Sequence, residues 1–567
     1  MGSSRASRET TDRPRMTVSP TARESRTSLG SPGVLSVTTP VVGEAAAASA
    51  LAPAPRAEKV AIIMAHGIGQ QVPFETLESV ADSVARSAAE SGDGPRVSVR
   101  MVRVDDTQVP RAELTLKDPS GQSHEVHFYE IYWSPLTEGK VSLLDAISFL
   151  LHSAYDGIRR GLAGVFERWM FGRWQSFSKR SVGTVVQFVA GFTGVLAIVL
   201  MNATIVAVAG ARLVLGGSSR WSSDPLLSDL SVCLALVDAF ALLLLIGIFG
   251  IPRLIGPTPR EKGQRRNTIR TLRHFSRALV FATMALMMAL SMLAPLILES
   301  HLGGGQGSFW GGALGRWALG AVEAGHAHPW WGRAATLLLW VIAIVASLAV
   351  RWFFIQYIGD LAAYIAAHTT NKFFSTRQEI RKCATKVAAP VYRGMASDGK
   401  PEYDRIILAG HSLGSVIAYD ALNALLLEDE EAGRPDRVRD RTPLLLTFGS
   451  PLDKTAFIFR NQRPRQVEIR EALAAAVQPM ISAYQFRPDL WVNVWSPDDW
   501  ISGSLEYYDD RRATSERGKW VRNIEDPDAF LPLVAHTQYF KNELVGRVLR
   551  LAVMDPEGLR ALVTLNS

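Results

Sequence analysis

The segment that most restricts how this 567-residue chain folds is Arg405-Ile406-Ile407-Leu408-Ala409, followed by Gly410-His411-Ser412-Leu413-Gly414 and then Ser415-Val416-Ile417-Ala418-Tyr419-Asp420-Ala421-Leu422. The first run predicts a buried strand and the last a helix. Only a sharp turn fits between them, and small residues must flank the serine at its apex. Gly410 and Gly414 supply these, so the turn lifts the Ser412 hydroxyl above the sheet edge at a helix N-terminus. Glycine and serine are also ordinary turn residues, and a plain turn is the competing reading. The strand before and the helix after favour a reactive serine.

Charged residues make up 20% of the chain and the mean hydropathy is +0.09, both high in apolar character for an ordinary enzyme. Two cysteines, Cys233 and Cys383, cannot build a disulfide framework, and their spacing suggests no metal site. The net charge of +7 does not point to nucleic acid, because the arginines crowd beside apolar segments as they do at a membrane surface. Residues 1–56 are rich in Ser, Thr, Arg, Pro and Ala and read as a disordered tail. No apolar core follows the arginines of this tail, so it does not read as a secretory signal.

Four apolar stretches, 182–215, 230–251, 278–298 and 334–354, each reach the roughly 20 residues needed to cross the hydrocarbon core. Buried core helices are the alternative. Residues 182–356 are therefore expected to form a four-span transmembrane module. Arg253, Arg260, Lys262, Arg265, Arg266, Arg270, Arg273 and Arg277 lie between the second and third stretches, against the single acid Glu261. With Arg159, Arg160, Arg168, Arg173, Lys179 and Arg180 before the first, they put both termini on the cytoplasmic side by the positive-inside rule. Asp238, inside the second stretch, reads as a protonated or paired structural group rather than a conduction site. His301, His326 and His328 match no ligand spacing. Residues 136–181, with Trp169 and Trp174, read as an amphipathic helical lead-in.

Outside that module, 59–65, 97–104, 126–133, 444–448 and 491–495 read as further strands, and 74–91, 360–368 and 377–387 as helices. Alternation of this kind predicts a mostly parallel sheet covered on both faces, built from 57–135 and 357–567. Gly410-His411-Ser412-Leu413-Gly414, the His66-Gly67 turn after an early strand and Phe448-Gly449-Ser450-Pro451 carry a resemblance to the α/β-hydrolase superfamily, lipases and esterases in particular. An acid after a late strand and a histidine near the C-terminus add to it. The His66-Gly67-Ile68-Gly69 turn looks most like intracellular phospholipase-type members. The expected fold class is an α/β-hydrolase interrupted by a four-helix transmembrane insertion.

A serine nucleophile needs a base, and the base needs an acid to hold its tautomer. The superfamily order is Ser, then Asp or Glu, then His. His536 is the one histidine after Ser412, so the resemblance makes it the base; a surface structural histidine is the alternative. Asp498 and Asp499 both follow the strand at 491–495. Asp499 is preferred, because family acids tend to sit a few residues past the strand end. Asp453 is a third candidate, read rather as a helix N-terminal residue. The backbone N–H groups of Leu413 and Ile68 are the expected oxyanion donors. His66 and His411 read as structural.

These residues predict a membrane-anchored serine hydrolase that cleaves carboxylic esters through an acyl-enzyme on Ser412, with no metal or organic cofactor. Membrane lipids are expected partners, and a lipid ester is the expected substrate because of that location. The alternative is a membrane scaffold or transport protein whose hydrolase-like domain is non-catalytic.

Overall fold

The computed structural model of the chain describes residues 57–68, 72–89, 95–104, 107–118, 120–142, 145, 148–149, 166–170, 173–177, 271–276, 278, 359–365, 371–453, 488–499, 501–505, 508, 520–531 and 534–566. Continuous apolar runs become the central strands: β1 (Glu58–Ala65), β7 (Arg405–His411), β8 (Leu444–Phe448) and β9 (Leu490–Trp495). β2 (Ser98–Val104), β3 (Thr107–Lys117), β4 (Ser123–Ile131) and β10 (Val521–Glu525) complete a sheet of eight, in the order β10-β9-β8-β7-β1-β4-β3-β2. All neighbours pair in parallel except β3, which runs against both β4 and β2.

Each face of the sheet has its own core, because alternate residues of a strand point to opposite sides. Ala61 and Ile63 of β1 pack with Ile380 and Ala384 of α3 (Asn371–Arg393) and with Val416 and Ile417 of α4 (Leu413–Glu431). Val60 and Ile62 pack with Leu77 and Val80 of α1 (Glu75–Ala89), Val548 of α7 (Glu543–Met554) and Leu559 of α8 (Pro556–Asn566). Shorter helices are α2 (Gly359–Ile365), α5 (Val438–Arg441) and α6 (Ala535–Gln538). Arg405, at the start of β7, pairs with Glu58 and donates to the carbonyls of Ala552 (2.8 Å) and Val553 (2.7 Å), groups a helix end leaves without intrahelical partners. One cation thus joins β7, β1 and α7.

Among the described residues no helix is long and apolar enough to cross a membrane. The two longest, α3 and α4, cover the sheet and carry charge: Arg377, Glu379, Arg381 and Lys382 on one, Asp420, Glu428, Asp429, Glu430 and Glu431 on the other. This corrects the expected four-span insertion, and with it the multi-pass location and the cytoplasmic orientation. The stretches 182–215, 230–251, 279–298 and 334–354, Asp238 and the three outer histidines lie outside the described residues. The observed class is a mixed eight-stranded sheet with helices, and it replaces the α/β-hydrolase class expected from the sequence. The reversal comes from β3. Pro110 lies beyond the β3 residues that pair with β4, so its missing N–H removes no bond from that ladder.

Within 136–181, read as an amphipathic helix, Phe166–Met170 (β5) and Arg173–Phe177 (β6) form an antiparallel hairpin. Phe166 stands opposite Phe177 and Trp169 opposite Trp174. Aromatic residues favour strands, a preference that helical periodicity does not anticipate.

Candidate active site

Most of the candidate residues follow the C-terminal ends of parallel strands, where open sheets place their ligands. His66 and Gly67 follow β1, Ser412 follows β7, Asp498 and Asp499 follow β9, and His536 lies in α6 after β10. β1 and β7 are neighbours in the sheet, and from β7 the chain builds outward through β8 and β9 to β10.

Ser412 has φ 53° and ψ −130°, a left-handed conformation that costs a non-glycine residue about 1–3 kcal/mol. Its surroundings hold it there. A Cβ on Gly414 would collide with the carbonyl oxygens of Ala65 and His66, and one on Gly410 with the backbone of Gly414 and Ser415. The Ser412 N–H donates to the Phe448 carbonyl (3.1 Å), while its own carbonyl accepts from the Ser415 N–H (3.0 Å) and hydroxyl (2.5 Å). The Ser415 hydroxyl also meets that of Ser450 at 2.7 Å. The Ser412 hydroxyl is buried and has no hydrogen-bond partner.

The His536 Nδ1–H donates to Asp499 Oδ2 at 2.8 Å. That bond fixes the neutral tautomer and leaves the Nε2 lone pair available to accept a proton. Nε2 is buried and unpartnered. Asp499 is 4% exposed and takes three further donors: Tyr539 hydroxyl (3.0 Å), Ile501 N–H (2.9 Å) and Ser502 N–H (3.2 Å). Burial, then the charge of Asp499, pushes the Tyr539 phenol far above its ordinary value, so it remains a donor.

His411 lies between the Ser412 turn and His536. Its Nε2–H donates to the His536 carbonyl (2.8 Å), and the two rings lie 4.8 Å apart. Burial, then the neighbouring His536, lowers its pKa to about 3, so it adds no charge beside the base. His66 is also neutral, its pKa lowered to about 4 by burial. Its Nδ1–H donates to the Gly67 carbonyl (2.8 Å), and Nε2 accepts from the N–H groups of Trp133 (3.0 Å) and Ser134 (3.3 Å). Stacked on Trp133 at 4.9 Å, it shapes the turn after β1. That turn closes on the elbow through Gly67, whose missing Cβ would stand 2.8 Å from His411 Nδ1 and 3.0 Å from Ser412 Cβ.

The structure therefore joins His536 to Asp499 directly and packs the Ser412 elbow against both His411 and the β1 turn. Ser412 Oγ and His536 Nε2 are not hydrogen-bonded to each other. Ile68 and Leu413, the expected oxyanion donors, are buried in one apolar cluster, and Leu413 opens α4, where N–H groups lack intrahelical acceptors. Asp498 faces away from the base and pairs with Arg273 at 2.7 Å. Asp453 is buried against Gly503. Among the described residues no group of three or more His, Cys, Asp or Glu side chains is placed to hold a metal ion.

Sequence reasoning missed the parts that Tyr539 and Arg273 play at this site. Tyr539 was open to discovery: it sits three positions after His536, the spacing that puts two side chains on one face of a helical turn. Arg273 acts by a contact across more than two hundred positions, which leaves no local signal. Compared with known proteins, the chain matches no family model, no curated protein and no solved structure.

Proposed function

We propose that this protein is a serine hydrolase that cleaves carboxylic esters through an acyl-enzyme on Ser412. The observation that carries the reading is the His536–Asp499 pair, which leaves a buried, unpartnered Nε2 at the same sheet edge as a buried, unpartnered serine hydroxyl in a left-handed turn. Ser412 Oγ attacks the ester carbonyl carbon as its proton passes to His536 Nε2. The carbonyl π electrons move to oxygen, and the N–H groups of Leu413 and Ile68 receive that oxyanion. Collapse expels the alcohol, which takes the proton from His536. Water then attacks the acyl-enzyme with His536 as base, releasing the carboxylic acid and restoring Ser412.

A lipid substrate was argued from a membrane location that the described fold does not support, so the reading stands at the level of carboxylic esters and thioesters. One observation favours a non-catalytic binding domain instead: Ser412 Oγ and His536 Nε2 are not bonded to each other. Such bonds are often long before substrate binds. Hydrolysis of a panel of short p-nitrophenyl esters and thioesters, with Ser412→Ala as the blank, separates the two readings. Turnover by the native protein alone supports the hydrolase. Equal rates from both proteins would leave the binding domain.

A further inference from the structure

Arg273 belongs to none of the elements that build the sheet. It lies in a helical turn, 271–276, far from the rest of the site in sequence, and is 252 positions from Glu525. Its guanidinium nevertheless reaches the loop that carries the acid. Nε stands 2.7 Å from Asp498 Oδ2, and Nη1 donates to Glu525 Oε1 at 3.1 Å. The Asp498 side chain is fully buried. A carboxylate there needs a cation or must take up a proton.

We propose that Arg273 is a positioning residue of the active site, holding the loop after β9 so that Asp499 faces His536. The inference rests on the triad reading above. Asp498 and Asp499 are consecutive, yet their side chains diverge, one onto Arg273 and the other onto His536. Fixing the first restricts rotation of the peptide that aims the second. The Asp498 N–H is held by Ser496 Oγ (3.1 Å), and Asn493 ties the loop to Gly503 O (3.0 Å) and Asn523 Oδ1 (2.8 Å). Glu525 ends β10 opposite Trp495, the last residue of β9. One arginine thus spans the two strands whose following segments carry the acid and the base. Its sign is permanent, because a guanidinium does not deprotonate in proteins.

The test reads the titration of the His536 ring by NMR in full-length protein with labelled histidine, assigned by its loss in His536→Gln. The groups facing the His536 ring are Asp499, its donor Tyr539 and neutral His411; the Arg273–Asp498–Glu525 cluster touches the loop that carries Asp499, and Asp526 lies beside Tyr539. Asp498→Asn releases the loop from Arg273, weakens the Asp499–His536 bond and should move the His536 midpoint down by about one pH unit. Adding Arg273→Gln should not restore the midpoint, because the loop is then held by neither partner, whereas a purely electrostatic effect of the Arg273 charge would be reversed by it. Glu525→Gln, at a partly exposed position, should shift it in the same direction by less, and carries the test if Asp498→Asn does not fold. A merely structural pair would change the melting temperature and leave the midpoint in place. The inference is overturned if Asp498→Asn and Glu525→Gln leave the midpoint unmoved, or if the double variant returns it to its native value. Fluorophosphonate labelling of Ser412 is run in parallel. Labelling with an unmoved midpoint overturns this inference alone. A moved midpoint without labelling overturns the hydrolase reading and leaves the Arg273 coupling in place.

Discussion

Gly67→Ala adds one methyl group where the turn after β1 meets His411 and Ser412. The backbone permits it, since Gly67 is not among the positive-φ residues. The space does not: the new carbon would lie 2.8 Å from His411 Nδ1 and 3.0 Å from Ser412 Cβ, where ordinary contact begins at 3.4 Å. Relief needs a movement of about 0.5 Å. His411 cannot supply it, because its Nε2 is bonded to the His536 carbonyl and its ring is enclosed by Phe448, Tyr539 and Phe540. The movement falls on the 66–68 turn or on Ser412, which separates the expected Ile68 donor from the oxyanion. Misplacement of about 1 Å costs about 100-fold in rate, and complete loss of a donor about 100- to 1,000-fold. A shift of half that size should lower kcat about 10- to 100-fold, equivalent to about 1.4–2.7 kcal/mol, with KM little changed. Overpacking should cost about 1–3 kcal/mol of stability. Steady-state ester hydrolysis and thermal melting on the same preparation measure both. Native kcat in a folded Gly67→Ala protein would refute the placement of this turn beside the reacting carbonyl.

Asp499→Asn should reduce ester hydrolysis about 1,000- to 10,000-fold by removing the acceptor that fixes the His536 tautomer; a larger loss in Asp498→Asn, measured in the same assay, would reverse the assignment of the acid. Tyr539→Phe keeps the buried ring but removes a donor to Asp499, and should lower stability by about 1.5–3 kcal/mol in denaturant titration. Stability should depend on pH in two opposed ways. His66 and His411 refuse protons that the unfolded chain accepts below about 6.5, so their contribution is complete above that pH and is lost as pH falls toward about 4 and about 3. Glu130 is raised by burial to about 7 and holds the Phe74 N–H at 2.8 Å. Its contribution is complete below about 4.5 and is lost as pH rises through 7. Glu130→Gln should therefore raise the melting temperature relative to the native protein at pH 8 and not at pH 5; equal effects at both would show that Glu130 does not titrate in this range.

The sequence was most legible where local rules act alone. Four apolar residues after Arg405, a serine between glycines and a following helix pattern placed the elbow, and Leu444–Phe448 formed the strand expected of it. The order Ser, acid, His and the single downstream histidine gave a pairing, His536 with Asp499, that the fold brings to 2.8 Å. Elements were lost where pairing overrides composition. β3 contains Pro110 and β10 reads Val-Arg-Asn-Ile-Glu; neither run is apolar enough to announce a strand, and both form because a neighbour's free edge is available. The hairpin at 166–177 likewise forms by pairing one strand with another, which a helical reading of its residues does not anticipate. Between Asp498 and Asp499 the resemblance preferred Asp499, and the fold bonds that carboxylate to His536 while Asp498 pairs with Arg273.

The account turns on Ser412 being a nucleophile activated by His536. The direct measurement is fluorophosphonate labelling of the native full-length protein, with the modified residue located by peptide mass spectrometry. Covalent modification should appear on Ser412 at one equivalent per chain, be absent in Ser412→Ala, and slow by orders of magnitude in His536→Gln. A folded native protein that takes up no label, or that is labelled elsewhere while Ser412 stays free, would contradict it.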